Sequence, residues 1–304
     1  MEALRARGKK WVRESPLHLM MVPGIILLLI FSYGPMLGIL MAFERFNISK
    51  GFFRSEWVGL DNFKFILQIP DVRQVFWNTI FIAFMKIVAS LIVPVGLALL
   101  LNEVRAKYVK RGIQTIIYLP YFLSWVLLAG ILIDILSPSS GIVNQFLGIF
   151  GIKPIFFLGN EKIFPYLLVV THVWKEAGFG TIIYLAALTG IDPTLYEAAI
   201  VDGASRWRQT WHVTLPGLAP IIILMTVLSL GGILNAGFDQ VFNLYNPLVY
   251  STGDIIDTMV YRMGLIDNQF SIATAVGLFK SVVSVILISV SYKLADKFAG
   301  YKVL

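Results

Sequence analysis

The sequence predicts an all-α polytopic membrane protein with six transmembrane helices. Three observations carry that expectation: the composition, six long apolar runs, and the lack of in–out alternation along those runs. Of 304 residues, 57% are hydrophobic and only 14% are charged, where a soluble domain carries about 25% charge. A soluble chain of this make-up would expose apolar patches far larger than monomers in water tolerate. Continuous apolar runs also disfavour a β-barrel, whose strands alternate over about ten residues.

Each run is long enough for a hydrocarbon core of about 30 Å, which takes roughly 20 helical residues. The expected spans are 17–43, 75–101, 113–136, 164–188, 217–237 and 271–292, within a transmembrane domain over 17–292. Residues 1–16 form a basic N-terminal segment, with Arg5, Arg7, Lys9, Lys10 and Arg13, and 293–304 a C-terminal tail. The first run exceeds the 7 to 15 or so apolar residues of a secretion signal, so it reads as an uncleaved anchor. Between the first two spans, Trp57 to Phe65 (WVGLDNFKF) reads as a short interfacial helix with Asp61 as its cap.

Charge sets the orientation. Segments 1–16, 102–112, 189–216 and 293–304 hold 14 Lys and Arg, whereas 44–72, 137–163 and 238–270 hold 7. The richer side is cytoplasmic by the positive-inside rule, so both termini are expected there. The net charge of +7 is thereby a topology signal, and no soluble basic domain remains to bind nucleic acid. Without cysteine, disulfide frameworks, thiolate metal sites and thiol nucleophiles are excluded. His18, His172 and His212 are too scattered for a metal site. No cofactor is expected in this chain, and with no GxxxxGK[ST] loop any ATP-driven work must come from a partner.

The connection from Gly190 to Pro216, GIDPTLYEAAIVDGASRWRQTWHVTLP, is the most informative stretch. Asp192 caps a helix whose first turn is preset by Pro193. Gly203 supplies a positive φ or a close backbone approach, and Ala204 to His212 form a second short helix with Trp207 and Trp211 on one face. Pro216 is expected to stop that helix and open the next span. Glu197 beside the small Ala198 and Ala199 fits a knob that sinks into a partner's cleft; the same residues also fit a helix resting on lipid headgroups.

These residues resemble a known signature. Glu197, Ala198, Ala199, three residues, Gly203, nine residues, Val213, one residue, Leu215 and Pro216 are similar to the EAA loop of ABC importer permeases. VGLDNF at Val58, YLPYFLSW at Tyr118, DPTLYEAAIVDGA at Asp192, and GDIIDTMVYRMGL through ATAVGLFKS at Gly253 to Ser281 resemble the carbohydrate branch of that family. Val213 is a conservative departure, and the large outer domain of the maltose-type larger subunit is absent. The resemblance implies the type I ABC importer permease fold in a bacterial cell membrane and half of a path for an oligosaccharide. It also implies a second related permease, a cytoplasmic ATPase dimer carrying ATP and Mg, and an extracytoplasmic sugar-binding protein. Glu197, Ala198, Ala199, Asp202, Gly203, Leu215 and Pro216 are then the expected coupling residues.

Ionisable groups inside a span cost several kcal/mol unless they face protein or water. Lys86, Lys175, Glu176 and Lys280 are therefore candidates, with an ion pair of Glu176 with Lys86 or Lys280 as the structural alternative. Sugars need aromatic faces plus amides and acids. Trp125, Tyr121, Trp174, Asn235, Asp239 and Asn78, with Lys175 and Glu176, make up the expected substrate path, although Trp and Tyr also form interfacial belts. Gly231, Gly232 and Gly237 are expected to loosen the fifth span near Asn235, as Gly178 and Gly180 would the fourth. Competing readings are an ion-coupled secondary transporter using Glu176 and Asp134, and an intramembrane enzyme, for which no HExxH, GxSxG or paired aspartates appear.

Overall fold

The computed structural model describes the backbone of residues 2–299 and the side chains of residues 15–290 and 293. The basic side chains expected to orient the first span, Arg5 to Arg13, and most of the tail 293–304 lie outside those residues. Helix α1 (Glu2–Leu28) runs on through a π turn at Leu29–Tyr33 and a 3-10 stretch at Gly34–Phe43. Its apolar side chains from Leu17 to Leu37 are exposed, and it meets the rest of the chain mainly where its last turns pack on the final helix. A two-stranded antiparallel ribbon follows, β1 (Glu44–Arg45) against β2 (Glu56–Trp57).

Helix α2 covers Asp61–Gln68, not the stretch from Trp57: the ribbon claims Trp57, and Leu60 occupies the cap position. Asp61 sits in the first turn and pairs with Lys64 at 2.9 Å instead of capping. Helix α3 (Pro70–Glu103) is the second span, opened by a proline whose missing N–H has no helical partner to lose there.

The third span is not one helix over 113–136. Helix α4 (Lys107–Tyr118) passes through a 3-10 turn at Leu119–Phe122, and α5 (Trp125–Ile135) departs at 108°. Pro120 withdraws an N–H from the first helix, and the Leu127 N–H donates to Ser124 Oγ at 3.3 Å, starting the second. After α6 (Ile142–Ile149), α7 (Phe164–Leu188) packs along much of α3.

Gly178 and Gly180 do not loosen α7, which is continuous. They let neighbours approach: a Cβ on Gly178 would lie 2.3 Å from the Ile117 carbonyl oxygen, and one on Gly180 3.1 Å from the Pro94 ring. Backbone cannot retreat as a side-chain tip can. Gly178→Ala is therefore expected to cost about 1–3 kcal/mol of overpacking, read as a lower melting temperature of the purified complex; an unchanged melting temperature would show that the third span is not held this tightly.

Helices α8 (Pro193–Val201) and α9 (Arg206–Gln209) form the connection after α7. A π turn at Thr210–Thr214 then carries α9 directly into α10 (Leu215–Leu230). Pro216 thus does not stop a helix. The wider π turn relieves the clash of its ring with the preceding turn, and one continuous helical stretch runs from Arg206 to Leu230, ending short of the 217–237 expected for the fifth span. Short helices α11 (Phe238–Leu244), α12 (Tyr250–Gly253) and α13 (Ile256–Tyr261) lead to α14 (Phe270–Ala299).

Among the described residues four helical stretches are alone long and apolar enough to cross a bilayer, and the candidates reach six where each of the bent pairs α4–α5 and α7–α8 counts as one span. The main core gathers Ile82 of α3, Leu128 and Leu132 of α5, Phe164 and Leu168 of α7, and Val241 and Leu244 of α11. A second cluster joins α2, α3, α13 and α14 through Ile66, Val75, Ile256 and Val276.

Candidate functional site

The first candidate region is the helix pair between the fourth and fifth spans. Asp192 Oδ1 accepts the Thr194 N–H at 2.9 Å, so α8 is capped by the residue that starts it. That bond favours the ionised form and holds the exposed carboxyl below its ordinary pKa. At the other end Gly203 has φ +74°. Its N–H donates to Ile200 O at 3.0 Å and the Ala204 N–H to Ala199 O at 2.9 Å, the pair of bonds that closes a helix with a left-handed residue. A Cβ on Gly203 would meet nothing within 4 Å, so conformation and not space calls for glycine. Gly203→Val is expected to cost about 1–3 kcal/mol of local strain and to weaken retention of an ATPase partner in pull-downs; full retention would show the turn tolerates a side chain.

Two contacts tie this helix to the fifth span. Tyr196 Oη and Thr214 Oγ1 are hydrogen-bonded at 3.0 Å, and Ile191 packs on Gly217, where a Cβ would lie 2.7 Å from its tip. Arg206 also pairs with Glu103 at the end of α3. Glu197, Ala198 and Asp202 stay exposed, Ala199 is half-buried, and Ile200 and Val201 present apolar side chains to the outside. Leu215 and Pro216 enter the fifth span just beyond the π turn. Trp207 and Trp211 share a face, with ring centroids 6.0 Å apart. The capped helix is legible in the sequence; its ties to Thr214, Gly217 and Glu103 are not, since they join residues brought together only by packing.

Within the bundle the expected path residues fall into separate groups. At the break of the third span, Lys175 Nζ donates to Tyr121 O at 2.9 Å and lies 5.1 Å from the Tyr121 ring centroid and 5.7 Å from that of Trp125. Tyr121 stacks on Phe179 at 4.5 Å. Glu176 pairs with its neighbour Lys175 at 3.5 Å, not with Lys86 or Lys280. The two side chains start about 100° apart, yet both are long enough to bend together.

Trp174 lies on a different face of α7, exposed with Tyr166 and Val170. Asp239 is exposed in the first turn of α11. Asn78 is buried and bonded within the protein: it donates to Ser251 O at 3.1 Å and Asp254 O at 3.2 Å and accepts from Gln74. An amide satisfied three ways is a staple between α3 and the connection before α13. Asp254 in turn is bridged by Arg262 at 2.5 Å.

Lys86 is also internal. Its Nζ donates to Ala236 O and to Gln240 Oε1, while Gln240 Nε2 donates to Leu168 O at 2.8 Å and Thr171 Oγ1 at 2.7 Å. This network joins α3, α7 and α11 around the segment where the fifth span ends. That segment, Gly231 to Gly237, is non-helical, and Gly237 has φ +88°. Gln240 escaped notice in the sequence because an amide one turn beyond a span has no periodic signature. Among the described residues no group of His, Cys, Asp and Glu could hold a metal ion.

Among the described residues, up to six apolar passes, one of them ending in unwound backbone, together with an exposed helix hydrogen-bonded to that same pass, form the frame of a multi-pass membrane transport subunit. The chain belongs to the family of binding-protein-dependent transport system inner membrane components, which matches residues 90–299. It is a multi-pass membrane protein of a binding-protein-dependent transporter. Similar proteins include LplB of Bacillus subtilis (strain 168), 43% identical over 296 residues, covering 96% of this chain and 93% of LplB. The polygalacturonan/rhamnogalacturonan transport system permease protein YteP of the same strain is 42% identical over 289 residues, 95% of this chain and 90% of its own. A crystal structure of a bacterial ABC transporter involved in the import of the acidic polysaccharide alginate matches with TM-score 0.89 and 38% identity. The match covers 96% of this chain and 99% of that one.

Proposed function

We propose that this chain is one half of the translocation path of an ATP-driven oligosaccharide importer and is coupled to a cytoplasmic ATPase dimer through α8. The observation that carries this reading is the capped, exposed helix with Glu197 and Ala198 outward and Tyr196 bonded to Thr214 of the fifth span. A helix fixed at both ends transmits displacement instead of absorbing it. When bound ATP and Mg draw the two ATPase subunits together, α8 moves with its socket, and the fifth span follows through Thr214 and Gly217. Rigid-body rotation of this kind exchanges the open side of a cavity.

Both termini and α8 are cytoplasmic in this reading, as the distribution of Lys and Arg supports. A second, related permease covers the exposed apolar face of α1, and a sugar-binding protein delivers ligand from outside. Glu197, Ala198, Ala199, Asp202, Gly203, Leu215 and Pro216 form the coupling element. Tyr121, Trp125, Trp174, Lys175, Glu176, Asn235 and Asp239 border the path. The names of YteP and of the alginate transporter favour a substrate that carries carboxylates.

The test is purification from membranes followed by reconstitution with the cognate binding protein. An ATPase retained in fixed ratio, with ATP-dependent uptake of oligosaccharide, is the expected result. A lone chain that transports on an ion gradient would overturn it.

A further inference from the structure

The unwound end of the fifth span forms one wall of a cleft of about 400 Å³, lined by Gly231, Asn235, Phe238, Asp257, Lys280 and Ser284 among others. Lys280 stands halfway along the apolar stretch Phe270–Val290 of α14. A lysine at such depth is costly unless it has a partner or water. Its Nζ donates to Asp257 Oδ1 of α13 at 2.5 Å, and the two side chains keep 19% and 26% of their surface open. Asp257 is the one acceptor recorded for Nζ among the described residues, whereas an ammonium has three N–H donors. Asn235 receives the Gly237 N–H on its Oδ1 at 3.3 Å, and its own amide N–H groups have no recorded partner there. Phe238 adds an aromatic face to the same wall.

Behind this wall sits the Lys86 nitrogen, on Ala236 O and Gln240 Oε1, with no carboxylate within 4 Å among the described residues. Lys86 is thus enclosed and bonded within the protein, and Lys280 is the ammonium that lines the cleft with part of its surface open and with N–H donors that a carboxylate can accept from.

We infer that the cleft between α10, α13 and α14 is a subsite for the carboxylate of an acidic sugar unit, with Lys280 as its counter-ion and Asp257 as the internal carboxylate that holds Lys280 while the site is empty. Incoming carboxylate takes the free N–H donors of Lys280, ring hydroxyls take the Asn235 amide, and the apolar face of the sugar rests on Phe238. Because Asp257 competes for the same ammonium, the carboxylate is held weakly enough to be released, as conduction through a buried site requires. The inference rests on the importer reading above and assigns the substrate class of its path.

The experiment uses the whole transporter in proteoliposomes, with its binding protein, and trigalacturonate as probe beside a neutral trisaccharide. Lys280→Gln is expected to lower trigalacturonate uptake about tenfold or more, the effect of one charged hydrogen bond, while stimulation of ATP hydrolysis by loaded binding protein persists. Asp257→Asn is expected to act the other way and lower the KM for trigalacturonate several-fold. Equal losses in both variants would mean that the pair is a structural brace or reads a diol, and unchanged uptake in both would mean that the cleft is bypassed; either overturns the inference. Wild-type uptake of the neutral sugar alone overturns the anionic subsite but leaves the importer reading standing. Absence of uptake together with absence of a retained ATPase overturns that reading instead.

Discussion

Glu197→Lys in an assembled complex is expected to abolish ligand-stimulated ATP hydrolysis and to reduce uptake by at least tenfold. The residue lies on the exposed face of α8, between a capped start at Asp192 and a left-handed close at Gly203, so its backbone position is fixed before any partner arrives. Reversing a charge at a desolvated contact leaves two like charges facing one another, and disrupting such pairs typically costs about 2–5 kcal/mol. That cost falls on the docked state only, because Glu197 is exposed in the free chain. The variant should therefore fold and insert normally. Uptake and ATP hydrolysis measured on complexes matched for ATPase content separate lost coupling from lost assembly. Unchanged values of both would remove Glu197 from the coupling element and return α8 to the membrane-surface reading.

Gln240→Leu is expected to lower the stability of the folded bundle by about 2–4 kcal/mol. Gln240 is fully buried, and its amide links Lys86 of α3 with Leu168 and Thr171 of α7. Removing it leaves the Lys86 nitrogen, itself 4% exposed, with one acceptor in place of two, and an under-bonded buried donor bears its full desolvation cost. For a chain of this size the change corresponds to a fall of roughly 3–6 °C in melting temperature, measurable by size-exclusion after heating in detergent. Adding Lys86→Met should return part of the loss, since removing both partners leaves nothing unpaired. A double variant with strictly additive losses would show that the two residues act independently.

Much of α8 could be read directly from the chain. Asp192, Pro193 and Gly203 act through their own backbone within one or two turns, so local chemistry places the helix and closes it. The broken third span was also written locally, in Pro120 and Ser124, but a continuous apolar run hid it: hydropathy measures partition into lipid and is blind to direction. Pro216 misled for the opposite reason. A proline ends a helix in isolation, yet here packing of α10 on its neighbours makes a π turn cheaper than a break.

The intramembrane charges divide along the same line. Composition alone required that Lys86, Lys175, Glu176 and Lys280 find partners, because lipid offers them none. Which partner each takes was decided by the fold. Asp257 reaches Lys280 because α13 returns to the level of mid-α14, and Gln240 meets Lys86 because the fifth span unwinds before it. Apolar runs, caps and basic-residue bias are sums over neighbours in sequence, and they pointed to an all-α membrane protein with a capped helix between its fourth and fifth spans, while the transport role came from the resemblance of that helix and its flanking motifs to a known family. Pairings across 23 to 154 positions depend on how rigid helices settle against one another, and only the tertiary structure could supply them.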